Sequence, residues 1–165
     1  MVAVEMSAVP ARPAPSIRVV RVELAVEAPH AVLGLLAGLL VPKEPQQAEL
    51  LRRRFERARE RRSVVAGQGV LLVRSSLAHL SSPRVAYARL RRPMGIRSPD
   101  GAPVTDVLAL VVPQPTLSAE HEMLTALERW LRLPAAPSRL RACDGEDQLR
   151  DLLIEATCAL APWAP

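Results

Sequence analysis

Residues 106–112 read DVLALVV, and the unbroken apolar run that follows Asp106 decides the fold. A strand that is apolar at nearly every position is buried on both faces, which is typical of the centre of a sheet. The stretch Pro99-Asp100-Gly101 shortly before it is a strong turn signal. The run therefore predicts a central strand with its neighbours packed around it.

Strand and helix patterns alternate loosely on either side of this run. The segments with strand patterns are 17–26, 64–73 (broken at Gly67 and Gly69), 84–90 and 106–112. The segments with helical spacing are 29–40, 46–61, 118 to a stop at Pro134, and 144–160. The sequence predicts an α/β fold: a mixed, roughly five-stranded sheet flanked by helices on both faces.

The ends of the chain differ from its middle. Residues 1–16 hold three prolines and no apolar period, which predicts a disordered N-terminal tail. The chain closes on Pro-Trp-Ala-Pro, which predicts a short C-terminal tail over residues 161–165. A single domain is expected over residues 17–160, since 165 residues suit one domain with a real core.

Composition argues against several classes of protein. Cys143 and Cys158 are too few and too far apart for a disulfide framework or a zinc site, so we expect no metal and no cofactor. The longest apolar run, residues 31–41, is about half the length that a membrane span needs. No secretory signal is visible, which predicts a cytoplasmic protein without membrane insertion.

Residues 50–62, LLRRRFERARERR, hold seven arginines and two glutamates. Such a basic helix could bind nucleic acid, which remains an alternative function. However, Glu56 lies four residues after Arg52, so acids share the exposed side with the arginines. The chain has only four aromatic residues and therefore offers no stacking platform for single strands. The pattern favours a solvent-exposed helix face, and nucleic acid is not the expected partner.

The three histidines, His30, His79 and His121, lack a second ligand at metal-binding spacing. Serines flank His79, but no aspartate is placed by spacing to complete a nucleophilic triad. His121 lies in the first turn of the helix after the central strand, where the positive end of a helix can assist anion binding. The pair Gly67 and Gly69 on its own favours a turn or bulge, because no phosphate-loop residues follow it.

Three segments together resemble a known family. They are residues 62–75 (RSVVAGQGVLLVRS), 90–113 (LRRPMGIRSPDGAPVTDVLALVVP) and 118–132 (SAEHEMLTALERWLR). In this order they resemble the type-2 enzyme IIA domain of the sugar phosphotransferase system (PTS). This is the fructose/mannitol class, which includes the nitrogen-regulatory enzyme IIA. The resemblance runs from Ile17 to Ala156 and implies the enzyme IIA type-2 sandwich of sheet and helices.

The resemblance also implies a site. Ser63, Gly67 and Gly69 match the family's active-site segment in register, and His121 falls on the family's second histidine. The histidine that accepts the phosphoryl group in the family is replaced here by Arg74. The implied pocket therefore consists of Arg74, His121, Ser63, Gly67 and Gly69.

Two further departures surround that position. Val73 stands where the family has the proline before its acceptor histidine. The family's arginine sixteen residues before the acceptor aligns with Ala58, although Arg57 and Arg59 flank it.

The replacement at position 74 changes the chemistry. A guanidinium is permanently charged and has no nucleophilic lone pair comparable to that of imidazole. We therefore expect a degenerate enzyme IIA domain that cannot relay phosphate and acts as a regulatory module binding a partner protein or a PTS carrier protein. The alternative is an active phosphotransferase subunit that uses His121 or His79 as its acceptor. The sequence indicates no oligomeric state.

Overall fold

The computed structural model describes residues 17–25, 28–61, 65–116 and 118–158. The predicted tails, residues 1–16 and 161–165, lie outside this part of the chain. The strands are β1 Arg18–Leu24, β2 Val65–Gly67, β3 Val70–Ala78, β4 Arg84–Leu90 and β5 Asp106–Gln114. The helices are α1 Pro29–Leu40, α2 Pro45–Glu60, α3 Ser118–Leu131, α4 Ala136–Arg141 and α5 Glu146–Cys158.

The sheet is mixed, with the strand order β1-β4-β5-β3-β2. The central strand β5 runs parallel to β3 and antiparallel to β4, and β1 lies parallel to β4 at one edge. Four strands have seven to nine residues, while β2 has three and pairs with the start of β3. The predicted five-stranded sheet is therefore four full strands with a short strand added at one edge.

The central position of β5 follows from its apolar run. Residues 107–112 are each at most 3% exposed, because neighbouring strands and both helical layers surround them. Leu108 and Leu110 face a core formed with α3, α4 and α5, whereas Val107 and Ala109 face a second core formed with α1 and α2. Each fully buried aliphatic side chain contributes about 1.5–3 kcal/mol. The prediction of helices on both faces is confirmed.

The helix boundaries follow the prolines. Pro29 and Pro45 stand at the beginnings of α1 and α2, where a missing N–H costs no helical hydrogen bond. α1 has the predicted bounds, and α2 differs by one residue at each end. α2 buries Leu51 and Phe55, and its charged residues are all exposed or partly exposed. No helix in the described part of the chain is both long and apolar enough to cross a bilayer.

Two features of the fold were not predicted from the sequence. The strand expected to end at Val73 continues as β3 to Ala78, because its backbone pairs with β5 from Arg74↔Leu110 to Ala78↔Gln114. Backbone pairing does not require apolar side chains, so the end of an apolar run did not mark the end of the strand. The short helix α4, between the predicted stop at Pro134 and α5, was not predicted.

A network of ion pairs covers the exposed side of α2. Arg52 contacts Glu49 at 2.6 Å and Glu56 at 2.7 Å, and Arg53 contacts Glu49 at 2.8 Å. The sequence predicted that acidic residues and arginines lie next to each other on this face, and the structure confirms it for Arg52 and Glu56. Hydrogen bonds from Arg52 and then Arg53 lower the pKa of Glu49 from 4.5 to about 2.

This lowered pKa predicts a change in acid stability. A carboxyl group whose pKa is lower in the folded state stabilises the fold above its ordinary pKa of 4.5, and this contribution is lost as the pH falls toward 2. We expect Glu49→Gln to reduce the urea midpoint above pH 4.5 and to have little effect near pH 2. Asp151→Asn, at an exposed position of α5, is the control. An equal effect of Glu49→Gln at both pH values would contradict the prediction.

Candidate functional site

An open groove of about 370 Å³ lies beside the second half of β3. Its polar and charged lining comes from α2, from β3 and from the end of β5 and the residues that follow it. These residues are Arg54, Arg74, Ser75, Ser76, Gln114 and Thr116. Val112 and Leu124 add an apolar floor, and both are nearly buried. We call this feature the Arg54–Arg74 groove.

A second hollow of about 410 Å³ lies on α2 and is lined by Pro45, Gln46, Glu49, Leu50 and Arg53. Its charged groups, Glu49 and Arg53, are paired with each other at 2.8 Å. Its remaining lining is mostly apolar and exposed. The Arg54–Arg74 groove is therefore the better candidate for chemistry, although it is slightly smaller.

Arg74 lies in the middle of β3, opposite Leu110 of β5. The alternation of a strand turns its side chain toward the α3 layer, where Nη1 lies 2.7 Å from Oε1 of Glu128. The Arg74 side chain is 47% exposed and the Glu128 side chain is 20% exposed. Ion pairs this open to solvent contribute about 0–1 kcal/mol, so the contact can be exchanged for another at little cost.

Arg54 reaches the groove from α2. Its Nη1 donates a hydrogen bond to the backbone carbonyl oxygen of Ser76. The family resemblance aligned the family's arginine with Ala58, between Arg57 and Arg59, and did not single out Arg54. Arg54 precedes Ala58 by four residues and so lies on the same helix face. The four-residue spacing of a helix could therefore have identified Arg54 from the position of Ala58. Glu128 was also missed, because no sequence pattern links it to Arg74.

None of the three histidines lines the Arg54–Arg74 groove. His121 is exposed in the first turn of α3, and its carbonyl oxygen accepts a hydrogen bond from Thr125 Oγ1 at 3.0 Å. His79 is exposed directly after β3 with a φ of 66°. His30 Nδ1 lies 2.5 Å from Glu56 Oε1 on the far side of α2. Among the described residues, the groove lining contains no histidine.

Gly67 ends β2, and Gly69 is the second residue of the tight hairpin turn that joins β2 to β3. Gln68 and Gly69 have φ values of 54° and 82°, as expected for the two-residue turn that joins antiparallel strands. The interpretation of this stretch as a turn is confirmed. Gly69 and Arg74 are five residues apart on an extended chain, or about 16 Å. The structure therefore does not bring the glycines into the groove, and Ser63 lies outside the described residues.

The hairpin end of the sheet carries a separate polar cluster around Asp106. The Asp106 carboxylate is 1% exposed and accepts hydrogen bonds from the Tyr87 hydroxyl at 2.5 Å and the Thr105 hydroxyl at 2.7 Å. Arg141 Nε of α4 donates to it at 2.8 Å. Burial, and next its hydrogen bond to Asp106, raise the pKa of Tyr87. Both carboxylate oxygens of Asp106 have hydrogen-bond partners, so we interpret the cluster as a structural one.

Comparison with solved structures places this architecture among PTS IIA proteins. Nitrogen regulatory protein IIA-Ntr from Neisseria meningitidis superposes with a TM-score of 0.66 at 24% identity, over 81% of this chain and 92% of its own. A protein assigned as PTS IIA from Streptococcus mutans has a TM-score of 0.54 at 16% identity, over 88% and 90%. The chain has the PTS IIA fold.

A third PTS IIA-assigned domain, from Streptococcus pyogenes, has a TM-score of 0.51 at 19% identity, over 87% of this chain and 88% of its own. No protein-family model matches the sequence. No curated protein matches it either. The expected PTS IIA type-2-like architecture is thus supported by structure, at levels of identity that establish the fold.

The two arginines give the groove on this PTS IIA fold a lining suited to binding anions. Arginine is neither base nor nucleophile in proteins, whereas its planar fork of N–H donors suits carboxylate and phosphate oxygens. The hydroxyls of Ser75, Ser76 and Thr116 and the amide of Gln114 add neutral donors and acceptors around the two arginines. The arrangement is chemically suited to holding an anionic group.

Proposed function

We propose that this chain is a PTS IIA-like domain of the nitrogen-regulatory or fructose type that does not relay phosphate. It acts as a regulatory module in the cytoplasm and binds a partner protein, or a PTS carrier protein, through the Arg54–Arg74 groove. The observation that carries the proposal is the lining of that groove, which contains two arginines and, among the described residues, no histidine.

The position of Arg74 supports the loss of relay. A phosphoryl acceptor must present a lone pair to phosphorus, and the guanidinium at this position is instead held by Glu128 at 2.7 Å. A fixed positive charge can still recognise an anionic group on a partner by charge-assisted hydrogen bonds. Binding without transfer is therefore the activity that this groove supports best.

An active phosphotransferase remains the first alternative, with His121 or His79 as acceptor. Both side chains are exposed and so could meet a phosphorylated carrier. Neither belongs to the lining of the groove, where the two guanidinium groups suited to a phosphoryl group lie. This makes relay the less favoured function.

Nucleic-acid binding through residues 50–62 is the second alternative. Within the described part of this segment, Arg52 and Arg53 are paired with acidic residues, and Arg54 is bonded to Ser76. Paired arginines release fewer counterions from a phosphate backbone, which weakens the case for this function. DNA or RNA affinity that falls steeply with salt, and that Arg→Glu changes in 50–62 abolish, would support it instead.

Incubation with phosphoenolpyruvate, enzyme I and the histidine-containing carrier tests the loss of relay. We expect no mass gain of a phosphoryl group on the full chain, because position 74 offers no nucleophile. A competent enzyme IIA in the same reaction is the positive control. A phosphoryl gain that His121→Ala or His79→Ala removes would establish the phosphotransferase alternative.

Partner capture tests the binding half of the proposal. Wild-type chain and Arg74→Glu are used to capture proteins from the chain's own cell extract. We expect at least one specific partner to be lost with Arg74→Glu, because the change places a negative charge beside Glu128 and reverses the charge of the groove. Arg139→Glu, on α4 and outside the lining of the groove, is the matched charge reversal and should retain that partner.

A further inference from the structure

Arg74 of the groove already pairs with one anion, and that anion belongs to the chain itself. Arg74 Nη1 lies 2.7 Å from Oε1 of Glu128, so a carboxylate fits the open side of this guanidinium. The arginine is half-exposed and therefore remains reachable from solvent. The contact with Glu128 therefore shows that Arg74 can bind a carboxylate.

The charges of the groove are only partly balanced by this contact. Arg54 donates to the carbonyl oxygen of Ser76, which is neutral. Within the described part of the chain, Arg54 has no acidic side chain at ion-pairing distance. Of the two guanidinium groups that line the groove, only that of Arg74 is paired with a carboxylate among the described residues, so the groove keeps an excess of positive charge.

We propose that the Arg54–Arg74 groove docks an acidic segment of a partner protein, and that a carboxylate of this segment displaces Glu128 from Arg74. The inference rests on the partner binding proposed above and adds the chemistry of the partner. Val112 and Leu124, at the floor of the groove, suit an aliphatic residue next to the acidic one. The fitting segment therefore carries acidic and aliphatic side chains side by side.

Exchange of Glu128 for a carboxylate of the partner is favourable because the partner's carboxylate can contact more hydrogen-bond donors. Glu128 contacts Arg74 in a half-exposed ion pair, which is a weak interaction. A carboxylate entering the groove reaches Arg74 and can also accept hydrogen bonds from the guanidinium of Arg54, only one of whose donors has a partner among the described residues. Glu128 then acts as an internal competitor that raises the concentration of partner needed for binding.

The first measurement uses a short peptide of alternating Glu and Leu as the probe, and its Gln-Leu analogue as the control. The full-length chain, labelled with ¹⁵N, is titrated with each peptide at low salt. We expect the arginine Nε–H signals of Arg54 and Arg74 to shift with the Glu peptide only. We also expect the affinity to fall with added salt, since the contacts are electrostatic.

The second measurement tests the role of Glu128. Glu128→Gln should tighten binding of the Glu peptide by about two- to five-fold, the range expected when one exposed competing ion pair is removed. Glu155→Gln is the matched control, because it adds the same unit of charge and breaks a comparable exposed pair with Arg139 at 2.9 Å. It should leave the affinity unchanged. Arg54→Gln and Arg74→Gln should each weaken binding by about ten-fold.

Three outcomes would overturn the proposal: equal effects of Glu128→Gln and Glu155→Gln, shifts confined to residues outside the groove, or binding of a phosphoserine analogue with none of the Glu peptide. Each of these outcomes is still compatible with the proposed regulatory function, provided that the chain takes up no phosphoryl group and that Arg74→Glu still abolishes partner binding. Phosphoryl uptake would instead refute the proposed function, whatever the peptide does.

Discussion

Replacing Arg141 by alanine is expected to lower the free energy of unfolding by about 3 kcal/mol. The change removes the only cation among the hydrogen-bond partners described for the Asp106 carboxylate, which is 1% exposed. The hydroxyls of Tyr87 and Thr105 remain, but a buried carboxylate without a cation is strongly disfavoured. The arginine itself is 35% exposed, so the expected loss is at the low end of the range for buried pairs.

Urea unfolding at neutral pH measures this effect, and Arg139→Ala provides the control. Arg139 lies on the same short helix α4 and pairs with Glu155, at 44% and 58% side-chain exposure. Arg139→Ala should lower the free energy of unfolding by less than about 1 kcal/mol. If both variants lose the same stability, α4 is held by its buried residues alone and the Asp106 cluster has no special role.

Replacing Gly69 by alanine is expected to lower the free energy of unfolding by about 2 kcal/mol or more. Two causes act together at this residue. Its φ of 82° is a left-handed conformation that side chains rarely adopt, and an added Cβ would lie 2.7 Å from the carbonyl oxygen of Pro103. The backbone of Gly69 also accepts hydrogen bonds from the N–H groups of Thr105 and Asp106, so the hairpin cannot shift freely.

Gly67 supplies the matched control in the same hairpin. A Cβ at Gly67 meets no atom within 4 Å, so Gly67→Ala should change the stability by less than about 1 kcal/mol. Gly69→Asn separates the two causes, since asparagine tolerates the left-handed region but still carries a Cβ. A Gly69→Asn variant as stable as wild type would show that the close approach to Pro103 costs nothing.

Most of the secondary structure could be predicted from local patterns. The alternation in Arg84–Leu90 and the proline at the start of Pro29–Leu40 gave the observed bounds of β4 and α1. The apolar run of β5 predicted its central position, because only a strand covered on both faces can be apolar throughout. The second half of β3 and the short helix α4 were missed, since pairing with β5 and docking against the sheet are non-local.

The candidate site was predicted only in part. Arg74 was identified because a family resemblance assigned it a position, and the structure places it in a groove. Its partners in that groove, Arg54 and Glu128, come from helices that lie twenty and fifty-four residues away in sequence. No local pattern connects residues at such separations. The glycines of the same sequence segment lie at the other end of β3, because an extended chain places five residues about 16 Å apart.

The sequence by itself determined the fold class and the central strand, since these depend on composition and short periods along the chain. It also shows directly that position 74 has no imidazole. Only the tertiary structure decided which charges meet. It brought Arg54 from α2 to Ser76, paired Arg74 with Glu128, and placed Gly69 and Arg141 in a separate cluster around Asp106. Contacts between distant segments depend on strand register and helix packing, which are set when the two cores form around the sheet.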